Sequence, residues 1–328
     1  MPSSGTLPAL LLARYRARFQ VPADAGLPDY LGSTVRGAFG HALKDAVCVT
    51  QLPKCGQCLM QQSCAYAYLF ETPPPADTTK MRLYPAAPHP FVFDVPGPDD
   101  EFEAETTLDI GFTLFGQGNR YLPYMIHGLK AAGQRGLGRR RTPLTLAAVE
   151  QHPDPVDDAS ITIHHPGEDL TPVAPRSPAI PPMPARAVLR LETPLRLRRD
   201  NRNVGANDLR FADLFINVMR RIAMLSHFHT DQPHETDFAG LAAAARDVEF
   251  THRDLRWHDW ARYSSRQQIR MNMGGIVGTL GLDLQGLETL WPYLWLGQWT
   301  HAGKATSMGL GRYRVASLPS TRPALTTA

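Results

Sequence analysis

The stretch Gly303-Lys-Ala-Thr-Ser-Met-Gly-Leu-Gly-Arg-Tyr-Arg-Val315 decides the fold, because the first half of the chain holds a counterpart, Gly133-Gln-Arg-Gly-Leu-Gly-Arg-Arg-Arg141. Each stretch follows a helical pattern and leads into a strand. Helix Asn119–Ala132 precedes the first, and strand Pro143–Val149 closes it. Helix Gln285–Leu296 precedes the second, whose own end forms the closing strand. Upstream elements match as well. A strand at Leu10–Gln20, a helix at Ser33–Val47 and strands at Phe91–Val95 and Thr106–Phe115 occupy the first half. The second half has a strand at Ala187–Leu197, a helix at Asp208–His227 and strands near Leu255–Tyr263 and Gln267–Leu280. Each half therefore reads βαββαβ, the ferredoxin-like (RRM-like) plan of an α+β protein. The expectation is two tandem domains with their sheets side by side and a groove between them. Residues 1–152 form the first, with a cysteine-rich loop at 48–64. A proline-rich, acidic linker spans 153–184, with one candidate strand at Ile161–His164. Residues 185–328 form the second.

A length of 328 residues suits two domains of roughly 150 each. Hydrophobic residues make up 43% and charged residues 20%, a balance that builds packed cores and excludes wholesale disorder. No apolar run approaches the ~20 residues that span a bilayer. The N-terminal stretch lacks an export signal, so the expected location is cytoplasmic. The formal net charge of +3 divides unevenly. Residues 1–184 carry 15 Lys/Arg against 18 Asp/Glu, and residues 185–328 carry 19 against 13. A cationic second half suits a polyanionic partner. Of the 34 basic residues 29 are arginine, the side chain best matched to phosphate, although a GC-rich genome yields the same bias.

All four cysteines fall in one segment, Cys48-x6-Cys55-x2-Cys58-x5-Cys64. Disulfides are uncommon in a cytoplasmic chain, and four thiolates are the full complement of a closed tetrahedral zinc site. With no open coordination position, such a metal is structural rather than catalytic. An iron–sulfur cluster and plain free thiols are the alternatives.

The first helix sets Ser33 as a candidate N-cap and gathers Val35, Phe39, Ala42, Leu43 and Ala46 into an apolar stripe. Gly37, His41 and Lys44 point the other way, with Gly40 nearby. Two helical glycines cost roughly 1 kcal/mol each relative to alanine. They suit either close approach of another backbone, such as RNA, or tight packing. His41 and Lys44 at i, i+3 can address one ligand: an imidazole to deprotonate a ribose 2′-OH and a cation to stabilise charge on phosphorus. An exposed His/Lys pair is also an ordinary solvated face. In the terminal loop Gly303, Gly309 and Gly311 permit positive φ and present amides that form an anion-binding concavity. Lys304, Arg312 and Arg314 surround them. The loop lacks the Walker ending and does not open a helix, so it is neither a P-loop nor a dinucleotide fingerprint. His301 is a second candidate acid or base. Arg139, Arg140 and Arg141 flank the first glycine loop. Trp257, Trp260, Arg262, Tyr263, Arg266 and Arg270 interleave aromatics with arginines, as single-stranded RNA binding requires, or as ordinary strands do. Seven acids from Asp94 to Asp109 read as a solvent-facing loop that repels RNA.

These residues resemble the CRISPR-associated endoribonucleases that process precursor CRISPR RNA, members of the RAMP superfamily. Three blocks between about residues 29 and 316 carry the likeness. They are LGSTVRGAFGHALKDAVC with CGQCLMQQSCAYAYLFETPPP, then LETPLRLRRDN with LFINVMRRIAMLSHFH, and finally WARYSSRQQIRMNMGGIVGTLGL with LGQWTHAGKATSMGLGRYRV. The resemblance implies two ferredoxin-like domains and metal-independent cleavage within a CRISPR repeat, leaving 2′,3′-cyclic phosphate and 5′-hydroxyl ends. It points to His41 as general base; Lys44 and His301 are the other catalytic candidates. The likeness is firmest at Gly303, Gly309 and Gly311, and the candidate RNA contacts read from the residues are Arg36, Arg139, Arg140, Arg262, Arg266, Gly303, Lys304, Gly309, Gly311 and Arg312. The expected partners are repeat RNA and CRISPR effector subunits, with no membrane. The competing reading is a non-catalytic RAMP subunit that coats guide RNA, which shares the Gly32–Ala38 start. A zinc-dependent hydrolase suffers from having no His/Asp/Glu ligand set.

Overall fold

The computed structural model describes residues 9–22, 25–28, 30–74, 86–96, 107–138, 140–231, 235–264 and 269–317. The first half runs β1 (Leu12–Gln20), α1 (Leu31–Val47), β2 (Phe91–Asp94), β3 (Thr107–Phe115), α2 (Leu122–Arg135) and β4 (Thr145–His152). A further strand, β5 (Ile161–His164), comes from the proline-rich segment. The sheet order is β2-β3-β1-β4-β5, with antiparallel neighbours throughout.

The second half begins with β6 (Arg186–Leu195), the short hairpin β7 (Arg198–Arg199) and β8 (Arg202–Asn203), and α3 (Phe211–His229). Next come α4 (Phe238–Arg246), β9 (His252–His258), the hairpin β10 (Ala261–Ser264) and β11 (Ile269–Asn272), and β12 (Gly275–Asp283). The half ends with α5 (Trp291–Thr300) and β13 (Tyr313–Ser317). Its main sheet is ordered β13-β6-β12-β9. Set beside β4-β1-β3-β2, this is the same arrangement: last strand, first, third, second. Among the described residues no helix is long and apolar enough to cross a membrane.

Strand alternation explains how the first sheet is covered. Ala13, Tyr15, Ala17 and Phe19 of β1 face a core with Phe39, Phe91, Phe93, Phe112 and Leu129. Arg14, Arg16 and Arg18 emerge on the other face. Arg16 and Arg18 reach Glu150 at 3.1 and 3.2 Å, and Arg18 also pairs with Asp109. Arg14 donates to the carbonyls of Pro155 and Asp157. The second core gathers Leu189, Phe215, Val218, Leu294 and Tyr313, and it also takes Leu10, Leu12, Val92 and Phe115 from the first half. The two halves thus share buried apolar surface.

Several expectations need correction. Residues 153–184, read as a linker with one candidate strand, carry that strand and are docked as a strap. Besides supplying β5, the strap pairs Arg176 with Leu12 of β1. Its Pro155, Ala179 and Pro181 carbonyls accept the indole N–H groups of Trp299, Trp295 and Trp291. Helix α1 begins at Leu31, so Ser33 lies inside it and is not the cap. Ala46 is exposed rather than part of the apolar stripe. The last helix starts at Trp291, six residues later than expected, and α4 was not anticipated. Of the seven acids, Asp94 and Asp109 sit in β2 and β3 and form ion pairs. Asp99, Asp100, Glu101, Glu103 and Glu105 lie outside the described residues.

Candidate active site

Helix α1 buries Leu31, Val35, Phe39, Ala42 and Leu43 and exposes Gly37, His41 and Asp45, successive residues on the opposite face. No atom lies within 4 Å of a methyl group placed on Gly37, so the helix backbone is open one turn before His41. Gly40 is explained by packing: a methyl group there would come 2.3 Å from the Phe70 ring. Lys44 is half-buried, its Nζ 5.7 Å from the Tyr66 ring centre. Asp45 pairs with Arg135 of α2 at 2.6 Å.

The start of α1 is held by the terminal glycine loop. The Tyr30 hydroxyl donates to the Met308 carbonyl at 2.6 Å. A methyl group at Gly32 would fall 1.8 Å from that same oxygen, so only glycine permits the approach. Arg36 Nε donates to Ser307 Oγ at 2.9 Å, and its guanidinium lies 4.4 Å over the Phe70 ring. An Arg36 terminal nitrogen also reaches His89 Nε2 at 3.2 Å. Arginine can only donate, so Nε2 accepts and the ring proton sits on Nδ1, which faces Thr72 Oγ1 at 2.8 Å. Burial and the charges of Arg36 and Arg221 push His89 down to about 3, so it is neutral.

This geometry corrects the reading of Gly303, Gly309 and Gly311 as bared anion donors. Their N–H groups donate internally, to Asn217 Oδ1 (2.6 Å), the Thr306 carbonyl (2.9 Å) and the Pro194 carbonyl (3.2 Å). Positive φ at all three lets the loop turn against its neighbours. A methyl group at Gly311 would meet the Ala302 carbonyl at 1.7 Å, and residues 306–311 are buried. Arg312 is likewise spent inside the protein: it joins Asp94 of the first half to Glu192 of the second, the latter at 2.8 Å. Burial alone raises the Asp94 carboxyl, but Arg312, His301 and Arg314 outweigh it and hold Asp94 at about 2. His301, only 2% exposed, also leaves the list of residues open to a surface strand. Its φ of +59° caps α5, burial pushes it down to about 3, and its Nδ1 has no hydrogen-bond partner among the described residues. Arg36 is partly exposed and already engaged.

Two other predicted contacts, Lys304 and Arg140, remain outward. Lys304 is exposed, and partial burial with the charges of Arg198 and Arg196 lowers its pKa. Arg140 is exposed with its stem against Gly26. Arg262 lies on β10, opposite Met271. Arg139 and Arg266 lie outside the described residues. Trp260 is not a free stacking platform: its ring packs 4.4 Å from Tyr30, in a small core with Met273, Met308 and Leu310. The β10–β11 hairpin therefore springs from the point where α1 meets the glycine loop. Sequence reasoning missed Tyr30, His89, Asp94 and Arg221, since isolated polar residues in a sequence carry no sign of burial.

Cys48, Cys55, Cys58 and Cys64 line one cavity of about 150 Å³ at the end of α1, with Val49, Met60 and Tyr124 on its walls.

Comparison with known proteins matches residues 7–175 to the N-terminal-domain family model AF_1859_N. Residues 189–313 match the model of the CRISPR-associated endoribonuclease Cas6. An uncharacterized protein of Archaeoglobus fulgidus is 35% identical over 130 residues, covering 39% of this chain and 43% of that protein. The chain thus spans less than half the length of that curated relative. Among solved structures, a Cas6 product complex superposes with a TM-score of 0.53 at 17% identity, covering 93% of this chain and 99% of that one. A partial Cas6-RT-Cas1–Cas2 complex gives 0.55 at 14%, covering 94% and 47% respectively.

Proposed function

Because this chain belongs to the CRISPR-associated family that processes precursor crRNA, within the RAMP superfamily, we propose that it binds CRISPR repeat RNA and cleaves it on the open face of α1. His41 removes the proton of the ribose 2′-OH beside the scissile phosphate. The resulting oxyanion attacks phosphorus, and the 5′-oxygen leaves, giving a 2′,3′-cyclic phosphate and a 5′-hydroxyl. Lys44 offsets the negative charge that builds on the phosphate oxygens. The reading rests on one observation: His41 is exposed beside a helix turn stripped to backbone at Gly37, on a helix whose start is fixed by Tyr30, Gly32 and Arg36. The glycine loop then acts as a clamp that positions α1, and it does not hold the RNA itself.

Binding comes from the outward cations Lys304 and Arg198 at the rim of the glycine loop and Arg140, with Arg262, Arg139 and Arg266 adding charge. Such contacts grip the sugar–phosphate backbone through charge and counterion release. The partners proposed are repeat RNA and further CRISPR proteins, since the structural likeness extends to a complex that joins Cas6 to Cas1 and Cas2.

The test is incubation of the full chain with labelled repeat RNA in EDTA. Products ending in cyclic phosphate and 5′-hydroxyl support the reading. Tight binding without cleavage would assign the chain to the non-cutting RAMP subunits, and loss of cleavage on chelation would overturn the metal-independent chemistry.

A further inference from the structure

Segment 48–64 is ordered in a way its surroundings do not explain. None of its residues is buried, and the only ones partly withdrawn from solvent are Cys48, Cys55, Cys58, Cys64 and Gln61. Its apolar side chains, Val49, Leu52, Leu59 and Met60, are exposed. Burial of apolar surface therefore cannot offset the roughly 1–2 kcal/mol of entropy that fixing each residue costs. Even so, the backbone makes defined turns. Cys58 N donates to the Cys55 carbonyl at 2.9 Å and Gln61 N to the Cys58 carbonyl at 3.0 Å. The Cys55–Cys58 turn brings two cysteines into one tight loop on the cavity wall. The Cys58 Sγ lies 3.4 Å from Thr50 Oγ1. The four cysteines are thus among the least exposed residues of a segment whose apolar side chains stay in contact with water.

We propose that Cys48, Cys55, Cys58 and Cys64 form a structural zinc site. The four thiols are unpaired in disulfides and share one cavity. No group of three metal-ligating side chains among the described residues stands close enough to hold an ion. Closure onto zinc draws the sulfurs to about 2.3 Å from the metal, and so about 3.8 Å from one another. Binding of the metal drives that closure, as it does in small domains that fold on their metal.

The site's place in the chain gives it a purpose. Cys48 N caps α1 by donating to the Lys44 carbonyl at 2.8 Å. Cys64 opens the helical turn that carries Tyr66 beneath Lys44 and Phe70 beneath Gly40 and Arg36. Zinc would tie the end of α1 to the segment that supports its exposed face, just as the glycine loop ties its beginning.

The test uses the full chain without RNA. Protein from zinc-supplemented cells, dialysed against metal-free buffer, should retain about one zinc per chain by mass spectrometry. The reduced apo-protein titrated with Co²⁺ should develop thiolate-to-cobalt charge-transfer and tetrahedral ligand-field bands, saturating at about one equivalent. Cys55→Ser and Cys58→Ser should each weaken cobalt binding by at least about tenfold, and the zinc-loaded wild type should melt above its EDTA-treated form. Absence of both zinc and the cobalt bands overturns the proposal. So does recovery of iron with inorganic sulfide, or of two disulfides under anaerobic purification. None of these readouts depends on RNA cleavage, so failure here leaves the proposed function standing, and the reverse holds too.

Discussion

The hydroxyl of Tyr30 and the carbonyl of Met308 meet at 2.6 Å across 278 residues of sequence. Gly32 lies against the same carbonyl, Trp260 against the Tyr30 ring, and Arg36 against Ser307. This contact fixes the helix carrying His41 to the last loop of the second half, so the loop's glycines set the position of α1.

Gly32→Ala should break that contact, because a Cβ cannot sit 1.8 Å from a carbonyl oxygen. Displacing the loop should cost about 1–3 kcal/mol in overpacking and slow cleavage markedly. RNA affinity should change far less, because Lys304, Arg198 and Arg262 are untouched. Urea unfolding and single-turnover cleavage with repeat RNA measure both. Wild-type rates in this variant would detach the loop from catalysis.

His41→Ala should slow cleavage by about 10²–10⁴ with little effect on affinity. Filter binding and single-turnover rates separate the two. A rate within a few fold of wild type would remove His41 as the general base.

Arg312→Met should destabilise the fold by about 1–3 kcal/mol, because it leaves the half-buried Asp94 and Glu192 carboxylates without the cation they share. Adding Asp94→Asn should restore part of that loss. A double-mutant cycle by chemical denaturation reports the coupling, and additive losses would show that the two side chains do not interact in solution.

Acid should unfold the protein from two sources. Burial pushes His89 and His301 down to about 3 and His229 to about 4, whereas in the unfolded chain they take up protons near pH 6.5. The unfolded state then binds more protons below that pH. Stability should therefore fall with decreasing pH, by up to about 1.4 kcal/mol per pH unit per histidine. Asp94, held at about 2, adds stability that is full above pH ~4 and is lost as pH falls toward 2. Unfolding free energies at pH 7.5, 6 and 5 check the histidine part. A flat profile would mean that these rings are already charged in the native state.

Lys304→Ala and Arg198→Ala should each weaken repeat-RNA binding uniformly across sequences and lower the slope of log K against log salt by about 0.7. An unchanged slope would place these cations outside the RNA path.

Much of the fold was legible because it rests on local periodicity. The alternation Ala13, Tyr15, Ala17, Phe19 marks a strand, and Val35, Phe39, Leu43 mark a helix face, whatever surrounds them. The repeated helix, glycine loop and strand anticipated the βαββαβ order of each half, which the strand orders β4-β1-β3-β2 and β13-β6-β12-β9 share. The partners of the polar groups were not legible. Gly309 reads equally well as an exposed amide or as a close contact, and it proved to lie against Val95 and the Phe93 carbonyl. Arg312 looked like a phosphate ligand until Asp94 was found opposite it. The strap at 153–184 looked unattached because its carbonyls dock on tryptophans far away in sequence.

By itself, then, the chain's sequence determined most of the elements, their twofold order, the cysteine cluster and the exposed face bearing His41, since each depends on spacings within a few turns of backbone. Only the tertiary structure decided which charges and amides still face water. A donor's availability depends on acceptors brought within about 3 Å by folding, and several of these lie far along the chain, 86 residues from Gly303 and 218 from Arg312.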